Sequence, residues 1–335
     1  MSSKQNSQKD KLSHVNKNDL RVSVVIVNWN TSTLLRDCIN SVYKETEPGI
    51  FEIIVVDNGS SDNSCHMVRE LFPEVRLIAN KENRGFAAAN NQGMAIAKGH
   101  YVLLLNSDTV VLDKAIDKAV AFADSHQQAA IVGCRVLNPD RSLQLTCFMF
   151  PSILNMLLST TYLYKLFPRN RFFGREHMTW WGKNEITEVD VVRGCFMLVR
   201  QKAIDHVGMM DEQFFMYGEE TDWCYRFKKA GWKVMFTPVG EIIHLGGASS
   251  RQTSFEMTLQ LRGSILLFLK KHKSRLTYTL VCLLVSLFFL LRIPYWFGAA
   301  LFAKSDRIPC LRTARAYVMG AIKALTGSQS LCIRK

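Results

Sequence analysis

The sequence predicts an α/β protein built on a doubly wound, mostly parallel sheet flanked by helices, followed by a basic and apolar helical segment. Three observations carry this. Short β-branched runs alternate with stretches of helical spacing between Val22 and Leu105. Most of these runs stop at a cluster of Asn, Asp, Ser or Gly. Net charge is +13 overall and is concentrated in the last 80 residues, around long uncharged runs.

Val22 to Val27 is a buried strand that ends in Asn28, Trp29 and Asn30, and Thr31 to Tyr43 follows with apolar residues at helical spacing. Ile53 to Val56 is a second strand, ending in the turn cluster Asp57 to Asp62, with a helix expected through Leu71. Val75 to Ala79 reads as a third strand, Asn83 to Lys98 as an Ala-rich helix punctuated by glycine, and Tyr101 to Leu105 as a fourth strand. Right-handed crossovers would bring the strand ends to one edge, where open α/β sheets bind ligands, so Asn28, Asp57 and Asp108 should share that edge. Beyond about residue 140 the pattern loosens. Val189 to Arg200 is strand-like but split by Arg193, Gly194 and Cys195. Asp211 to Gly231 reads as loop and helix, and Val234 to Phe236 and Ile242 to Ile243 as two short final strands.

A chain of 335 residues with 48% hydrophobic and 21% charged residues has a packed core and is too polar for a polytopic membrane protein. Met1 to Leu20 lacks any apolar stretch and is expected to be a disordered tail (1–20) rather than a secretory signal. The main domain is expected over 21–255 and the basic, apolar helical region over 256–335. That last region holds 13 Lys or Arg against two acids, Glu256 and Asp306, so it carries +11 of the total and the 255 residues before it about +2. Charge arranged around apolar runs points to an anionic bilayer surface and not to nucleic acid. Leu276 to Leu291 is uncharged for 16 residues, and basic residues flank the wider run on both sides. This predicts helices lying in the interface, or a re-entrant hairpin; a single span or a buried core helix are the alternatives. The nine cysteines stand singly, with no spacing that suggests zinc or a disulfide framework.

Several polar groups suit chemistry at the sheet edge. Asp108, after a strand and within Asn106, Ser107, Asp108, Thr109, is placed to hold a hard divalent cation, Mg²⁺ or Mn²⁺, or else to cap a following helix. Asp57 can accept a hydrogen bond from a nucleotide base or ribose. Asn83, Arg84 and Gly85, with Asn90 and Asn91, open a helix whose backbone and arginine can meet phosphate, or which is simply capped. Glu219, Glu220 and Asp222 fall within four residues, as a candidate general base or as an acidic first turn favoured by the helix dipole. His244, at a strand end, is a metal ligand or a structural imidazole.

Taken in order, Val25 to Asn30, Val55 to Asp62, Asn83 to Gly93, Leu103 to Thr109, Arg193 to Cys195, Met216 to Arg226 and His244 resemble the family 2 glycosyltransferases of the GT-A (Rossmann-like) fold, especially the rhamnosyltransferase-like branch of bacterial surface polysaccharide synthesis. The resemblance covers about two-thirds of the chain and implies a GT-A catalytic domain over 21–255. It implies that Asn28, Asp57, Asn83, Arg84, Gly85, Asn90, Asn106 and Asp108 hold a nucleotide-sugar donor, a dTDP- or UDP-sugar. Asp108 would be the metal end of a DxD-like motif whose first acid is Asn106 here, and His244 the second metal ligand. Glu220 would be the base of an inverting displacement, with Glu219 and Asp222 as alternatives, and Arg193, Gly194 and Cys195 would line the acceptor side. A lipid-linked glycan acceptor at the cytoplasmic face of the membrane follows from the same resemblance, with no nucleic-acid partner. A non-catalytic sugar-nucleotide or polysaccharide-binding subunit of the same fold is the alternative.

Overall fold

The computed structural model describes residues 20–246, 254–302, 307–327 and 331. The expected disordered tail therefore lies outside the described residues apart from its last position. In chain order, β1 (Val22–Asn28), α1 (Ser32–Glu45), β2 (Phe51–Asp57), α2 (Ser64–Leu71), β3 (Arg76–Ala79), α3 (Phe86–Ile96) and β4 (Tyr101–Asn106) alternate as the hydrophobic pattern requires. There follow β5 (Thr109–Leu112), α4 (Ala115–Ser125), β6 (Ala129–Leu137), β7 (Cys147–Phe148), α5 (Ile153–Thr160) and α6 (Leu163–Leu166). Then come β8 (Thr187–Glu188), β9 (Val191–Val192), β10 (Phe196–Arg200), α7 (Gln201–Val207), α8 (Glu219–Lys229) and β11 (Lys233–His244). The C-terminal region is helical: α9 (Ser254–His272), α10 (Arg275–Leu290), α11 (Ile293–Phe302) and α12 (Arg307–Thr326).

The sheet runs in the order β3-β2-β1-β4-β10-β6-β11-β5, with β8 added alongside β11. Strands β1 to β4 are mutually parallel, as are β6 and β11, whereas β10, β5 and β8 run against them. The result is a mostly parallel, mixed sheet. Alternation along each strand separates its two faces. Val22, Val24, Ile26, Ile53, Val55, Leu103, Leu105 and Leu198 pack under α1, α2 and α4. Val25, Ile54, Val56, Val102, Leu104, Met197 and Val199 pack under α3, α7 and α8. Trp223 of α8 is fully buried there and donates from Nε1 to the Gly208 carbonyl at 2.8 Å. Its loss to alanine would cost about 3–5 kcal/mol.

Two expectations change. The two short strands expected near the end are one strand, β11, which keeps its course through a register irregularity between Phe236 and Glu241. Asp108 caps no helix: it occupies the turn between β4 and β5, and Lys114 is the residue that precedes α4.

A third apolar cluster joins Phe214 and Met156 to Leu266–Leu269 of α9, Val281, Val285 and Phe289 of α10, and Ala321 and Ala324 of α12. Helix α9 is also tied to α8 by polar bonds, since Lys271 Nζ and His272 Nε2 both reach Asp222 Oδ1, at 2.6 and 2.7 Å.

Candidate active site

Strand register builds the site. Asn28 stands opposite Asp57, Val27 opposite Asn106, Leu105 opposite Phe196, and Thr109 opposite His244. The parallel strands therefore deliver Asn28, Asp57, Asn106 and His244 to one edge, and the antiparallel β10 begins there, bringing Arg193–Cys195 with it.

On the β1/β2 side the polar groups form a closed net. Asn28 Nδ2 donates to Asp57 Oδ1 at 2.9 Å, Ser60 N donates to Asp57 Oδ2 at 2.9 Å, and Thr31 Oγ1 donates to Asn28 Oδ1 at 2.6 Å. Two acceptors on Asp57 are thus used, and an ionised carboxylate has further lone-pair sites to offer. Asn58 fixes the next turn: its Nδ2 donates to Asn83 Oδ1 at 2.9 Å and to the Gly85 carbonyl at 3.1 Å, and its Oδ1 accepts from Arg84 N at 3.0 Å. Gly85 has φ +85°, and a Cβ on it would fall 2.4 Å from the Phe215 carbonyl oxygen, so both its handedness and its contact require glycine. The Arg84 side chain is exposed at this edge. Asn90 is different. It is buried one turn into α3, and its Nδ2 donates to the Phe86 carbonyl at 2.9 Å, a bond within the helix.

Asp108 and His244 meet. His244 Nε2 lies 3.1 Å from Asp108 Oδ1 and 3.2 Å from Asn106 Nδ2, and both residues are buried. Gln144 sets the ring: its Nε2 donates to Asn138 Oδ1 at 2.8 Å, which turns its Oε1 toward His244 Nδ1 at 2.6 Å. With the proton assigned to Nδ1 by that bond, Nε2 presents a lone pair to a carboxylate oxygen, and two such acceptors 3.1 Å apart require a proton or a cation shared between them. Two ligands at right angles about a small divalent ion, each at about 2.0–2.1 Å, would stand about 2.9 Å apart. The donor set fits such an ion. Among the described residues no group of three or more His, Cys, Asp and Glu side chains could hold a metal, so Asp108 and His244 would supply two ligands and the remainder would be phosphate oxygens and water.

The acids of α8 divide into two kinds. Asp222 is fully buried; burial pushes its carboxyl up, but hydrogen bonds from Lys271, His272 and Arg226 outweigh this and hold it below its ordinary value. Its oxygens are engaged by Lys271, His272 and Arg226, which makes it a poor proton acceptor. Glu219, 3% exposed, is driven well above the carboxylate range by burial first and then by the charge of Glu220. Glu219 Oε2 and Glu220 Oε2 are both buried without a protein partner. The loop before α8 meets the end of the Asn83–Gly85 turn, since Phe86 N donates to the Phe215 carbonyl at 2.7 Å. Phe86 in turn would lie 3.2 Å from a Cβ on Gly194. Cys195 carries the contact back to the rim, its carbonyl accepting from Asn106 N at 3.2 Å. Its thiol is buried and pushed up to about 12 by that burial, so Cys195 contributes backbone rather than a reactive sulfur. Arg193 is exposed, with its guanidinium 5.2 Å from the Phe148 ring centroid.

A linked series of contacts therefore runs from Asp108 and His244 through Asn106, Cys195, Gly194 and Phe86 to Phe215 and the start of α8. Three residues essential to this geometry were not singled out by the sequence. Asn58 sits inside a motif that was noticed, but Gln144 and Phe215 lie in stretches with no periodicity or motif to mark them.

Known proteins of this architecture carry the same layers. The mannosyltransferase PcManGT of Pyrobaculum calidifontis, solved with GDP-Man and Mn²⁺, superposes with a TM-score of 0.53 at 14% identity over 93% of this chain and 84% of its own. GalNAc-T7, solved with UDP, GalNAc and Mn²⁺, gives 0.53 at 17% identity over 75% of this chain and 48% of its own. These likenesses define a GT-A-type fold. The profile of Glycosyl transferase family 2 matches residues 23–207, more than half of the chain, and the chain belongs to that family. The N-acetylglucosaminyl-diphospho-decaprenol L-rhamnosyltransferase of Mycobacterium tuberculosis is 28% identical over 232 residues, 66% of this chain and 75% of its own length. A low-salt glycan biosynthesis hexosyltransferase of Haloferax volcanii is 24% identical over 274 residues, 79% and 82% of the two chains.

Proposed function

We propose that this family 2 glycosyltransferase moves a hexose, rhamnose being the first candidate, from a dTDP- or UDP-sugar to a lipid-linked glycan acceptor with inversion at the anomeric carbon, in the synthesis of a surface polysaccharide. The observation that carries the reading is the facing pair Asp108 and His244 at the strand edge, joined by contact to the acidic start of α8. The likeness to a rhamnosyltransferase whose named substrate is a diphospho-decaprenol supports the donor and acceptor classes.

In this reading Asp57 and the turn Asn83–Gly85 hold the nucleoside, Arg84 faces its phosphates, and Asn28 and Asn106 keep the rim in register. Asp108 and His244 would hold Mg²⁺ or Mn²⁺, which when bound offsets the charge of the departing diphosphate. Glu220 accepts the proton of the acceptor hydroxyl as that oxygen attacks. Burial and the charge of Glu220 raise the Glu219 carboxyl, which favours its protonated form beside the proposed base. Arg193 and Gly194 line the side from which the acceptor enters.

The exposed leucines of α10 and the turn after it, Leu276, Leu280, Leu283, Leu287, Leu290 and Leu291, follow helical spacing and form an apolar stripe facing away from the core. Among the described residues one helical stretch, Arg275–Phe302, is long and apolar enough to cross a membrane, and 39% of its most apolar window is buried within the protein. Half-burial supports a helix that packs on the domain with one face and enters the cytoplasmic leaflet with the other.

The test is release of nucleoside diphosphate from labelled dTDP- and UDP-sugars by the full chain with a polyprenyl-diphosphate-linked acceptor, in Mn²⁺ or Mg²⁺ and in EDTA. Transfer should need the metal, and Asp108→Ala should lose metal-dependent nucleoside diphosphate binding in a calorimetric titration. Unchanged affinity in that variant would refute the metal assignment, and a chain that binds donor but never turns over would favour a non-catalytic sugar-nucleotide-binding subunit.

A further inference from the structure

Two arginines away from the rim are buried without a salt bridge. Arg262 of α9 and Arg292, between α10 and α11, are each 8% exposed. Among the described residues neither forms an ion pair with a carboxylate. Both guanidinium groups address the same ring: Arg292 lies 3.4 Å and Arg262 3.9 Å from the centroid of Phe288, and Arg292 also stands 4.2 Å from that of Tyr162.

Their remaining contacts are poor. Arg262 reaches Ser159 Oγ at 3.4 Å and the Met156 sulfur at 3.8 Å, and its buried Nε has no partner. Arg292 Nη1 donates to the Phe288 carbonyl at 2.5 Å. Burial brings Arg262 down to about 10, with Glu176 opposing that fall and Arg292 adding to it. Glu176 is itself lifted by burial to about 7, so near neutral pH it supplies only part of a charge. Stacking on an aromatic ring recovers only some of the cost of burying two like charges, so the cluster lacks a counter-ion.

The position of the cluster indicates which anion. Arg292 falls inside the apolar stretch Arg275–Phe302, whose outer leucines are exposed. In the other direction His177 links the cluster to the rim. Burial lowers it to about 4, helped by the charges of Arg193 and Arg262, and its ring packs against Phe148, the ring that Arg193 covers. Arg292, Arg262 and Arg193 thus mark a cationic path from the apolar helices to the start of β10. Two guanidinium forks on one ring suit an anion with several oxygens and more than one charge better than they suit a single carboxylate.

We propose that Arg262 and Arg292 form a site for the phosphate or diphosphate group of a lipid acceptor, held between the apolar helices and the catalytic rim. The identification of the anion as the acceptor's rests on the transferase reading above; the anion site itself does not. The first measurement is thermal unfolding of the Asp108→Ala full chain in EDTA, where the rim cannot take a metal-bound diphosphate. Inorganic pyrophosphate should raise its Tm more than sodium chloride at equal ionic strength, and no difference overturns the site. The second is flotation with phosphatidylcholine vesicles carrying either polyprenyl diphosphate or phosphatidylglycerol at matched charge. The otherwise unaltered chain should prefer the diphosphate lipid about tenfold, Arg262→Gln/Arg292→Gln should lose the preference, and Arg262→Lys should keep part of it. A pyrophosphate effect without any vesicle preference overturns the lipid assignment. Mn²⁺-dependent nucleoside diphosphate binding should survive in Arg262→Gln/Arg292→Gln. A chain that never binds nucleoside diphosphate yet retains the vesicle preference would remove the transferase reading and leave the anion site standing.

Discussion

The rim of β4 and β11 holds one acid, Asp108, and the first turn of α8 holds three, and the two regions handle them in opposite ways. At the rim Asp108 meets an imidazole whose far nitrogen is anchored by Gln144, so the ring is oriented with its Nε2 toward Asp108 Oδ1. On α8 three acids lie within four residues, and the chain neutralises one with cations, keeps one as a buried acid and leaves Glu220 part-buried with a free oxygen. Placement along the helix decides this. Asp222 turns toward α9 and its Lys271 and His272, whereas Glu219 and Glu220 begin the helix directly after Gly218, beside the loop that touches the donor-side turn. Carboxylates two positions apart become structural support in one case and, in the proposed function, the base in the other.

The largest effect should come from removing that base. Glu220→Gln keeps shape and hydrogen-bonding capacity but cannot take the acceptor proton, so turnover should fall about 10²- to 10⁴-fold while donor binding measured by calorimetry stays within a factor of two or so. Wild-type turnover in this variant would transfer the role to Glu219 and break the contrast drawn between the two.

Asp222→Asn tests the other half of the comparison. It leaves Lys271, His272 and Arg226 around a neutral group, and breaking a buried pair in this way costs about 3–5 kcal/mol. Denaturant unfolding should show a loss of that order at neutral pH. The sign with pH follows from the lowered carboxyl: the stabilisation is present above the ordinary Asp value of 3.8 and is lost as pH falls through the lower value in the folded chain. The difference between the two proteins should therefore shrink in acid. Equal stability at neutral pH would mean that the α8–α9 bonds hold nothing together.

Much of this was legible before any coordinates. The sheet of β1 to β4 follows from apolar alternation, because buried parallel strands need continuous β-branched runs and the chain supplies them at Val22–Val27, Ile53–Val56 and Tyr101–Leu105. The rim residues follow as well, since strand ends in such a sheet share an edge. What could not be read was the partner of each group. Asp222 and Glu220 are two positions apart, and only the packing of α9, about 50 residues later, separates them. Strand β11 read as two pieces because Thr237, Pro238, Val239 and Gly240 interrupt its pattern, yet its pairing with β6 resumes at Glu241 and continues to Ile243. Gln144 and the cationic cluster around Phe288 lie where periodicity carried no signal, because each is assembled from segments 100 or more residues apart.

The smallest effect, and the finest discrimination between the two acidic sites, concerns Glu219. Its carboxyl is raised by burial and by Glu220, so the folded chain binds its proton more tightly than the unfolded chain does. Stability from this group is complete below its ordinary value of 4.5 and is lost as pH rises through the higher value in the folded state. Glu219→Gln is neutral at every pH and removes that dependence. Unfolding curves measured upward from pH 4.5 should show the variant gaining on the wild type as pH rises, over the range in which Glu219 stays protonated only in the folded chain. A variant that tracks the wild type in parallel across this range would mean that Glu219 ionises normally, and the division of labour with Glu220 would have no electrostatic basis.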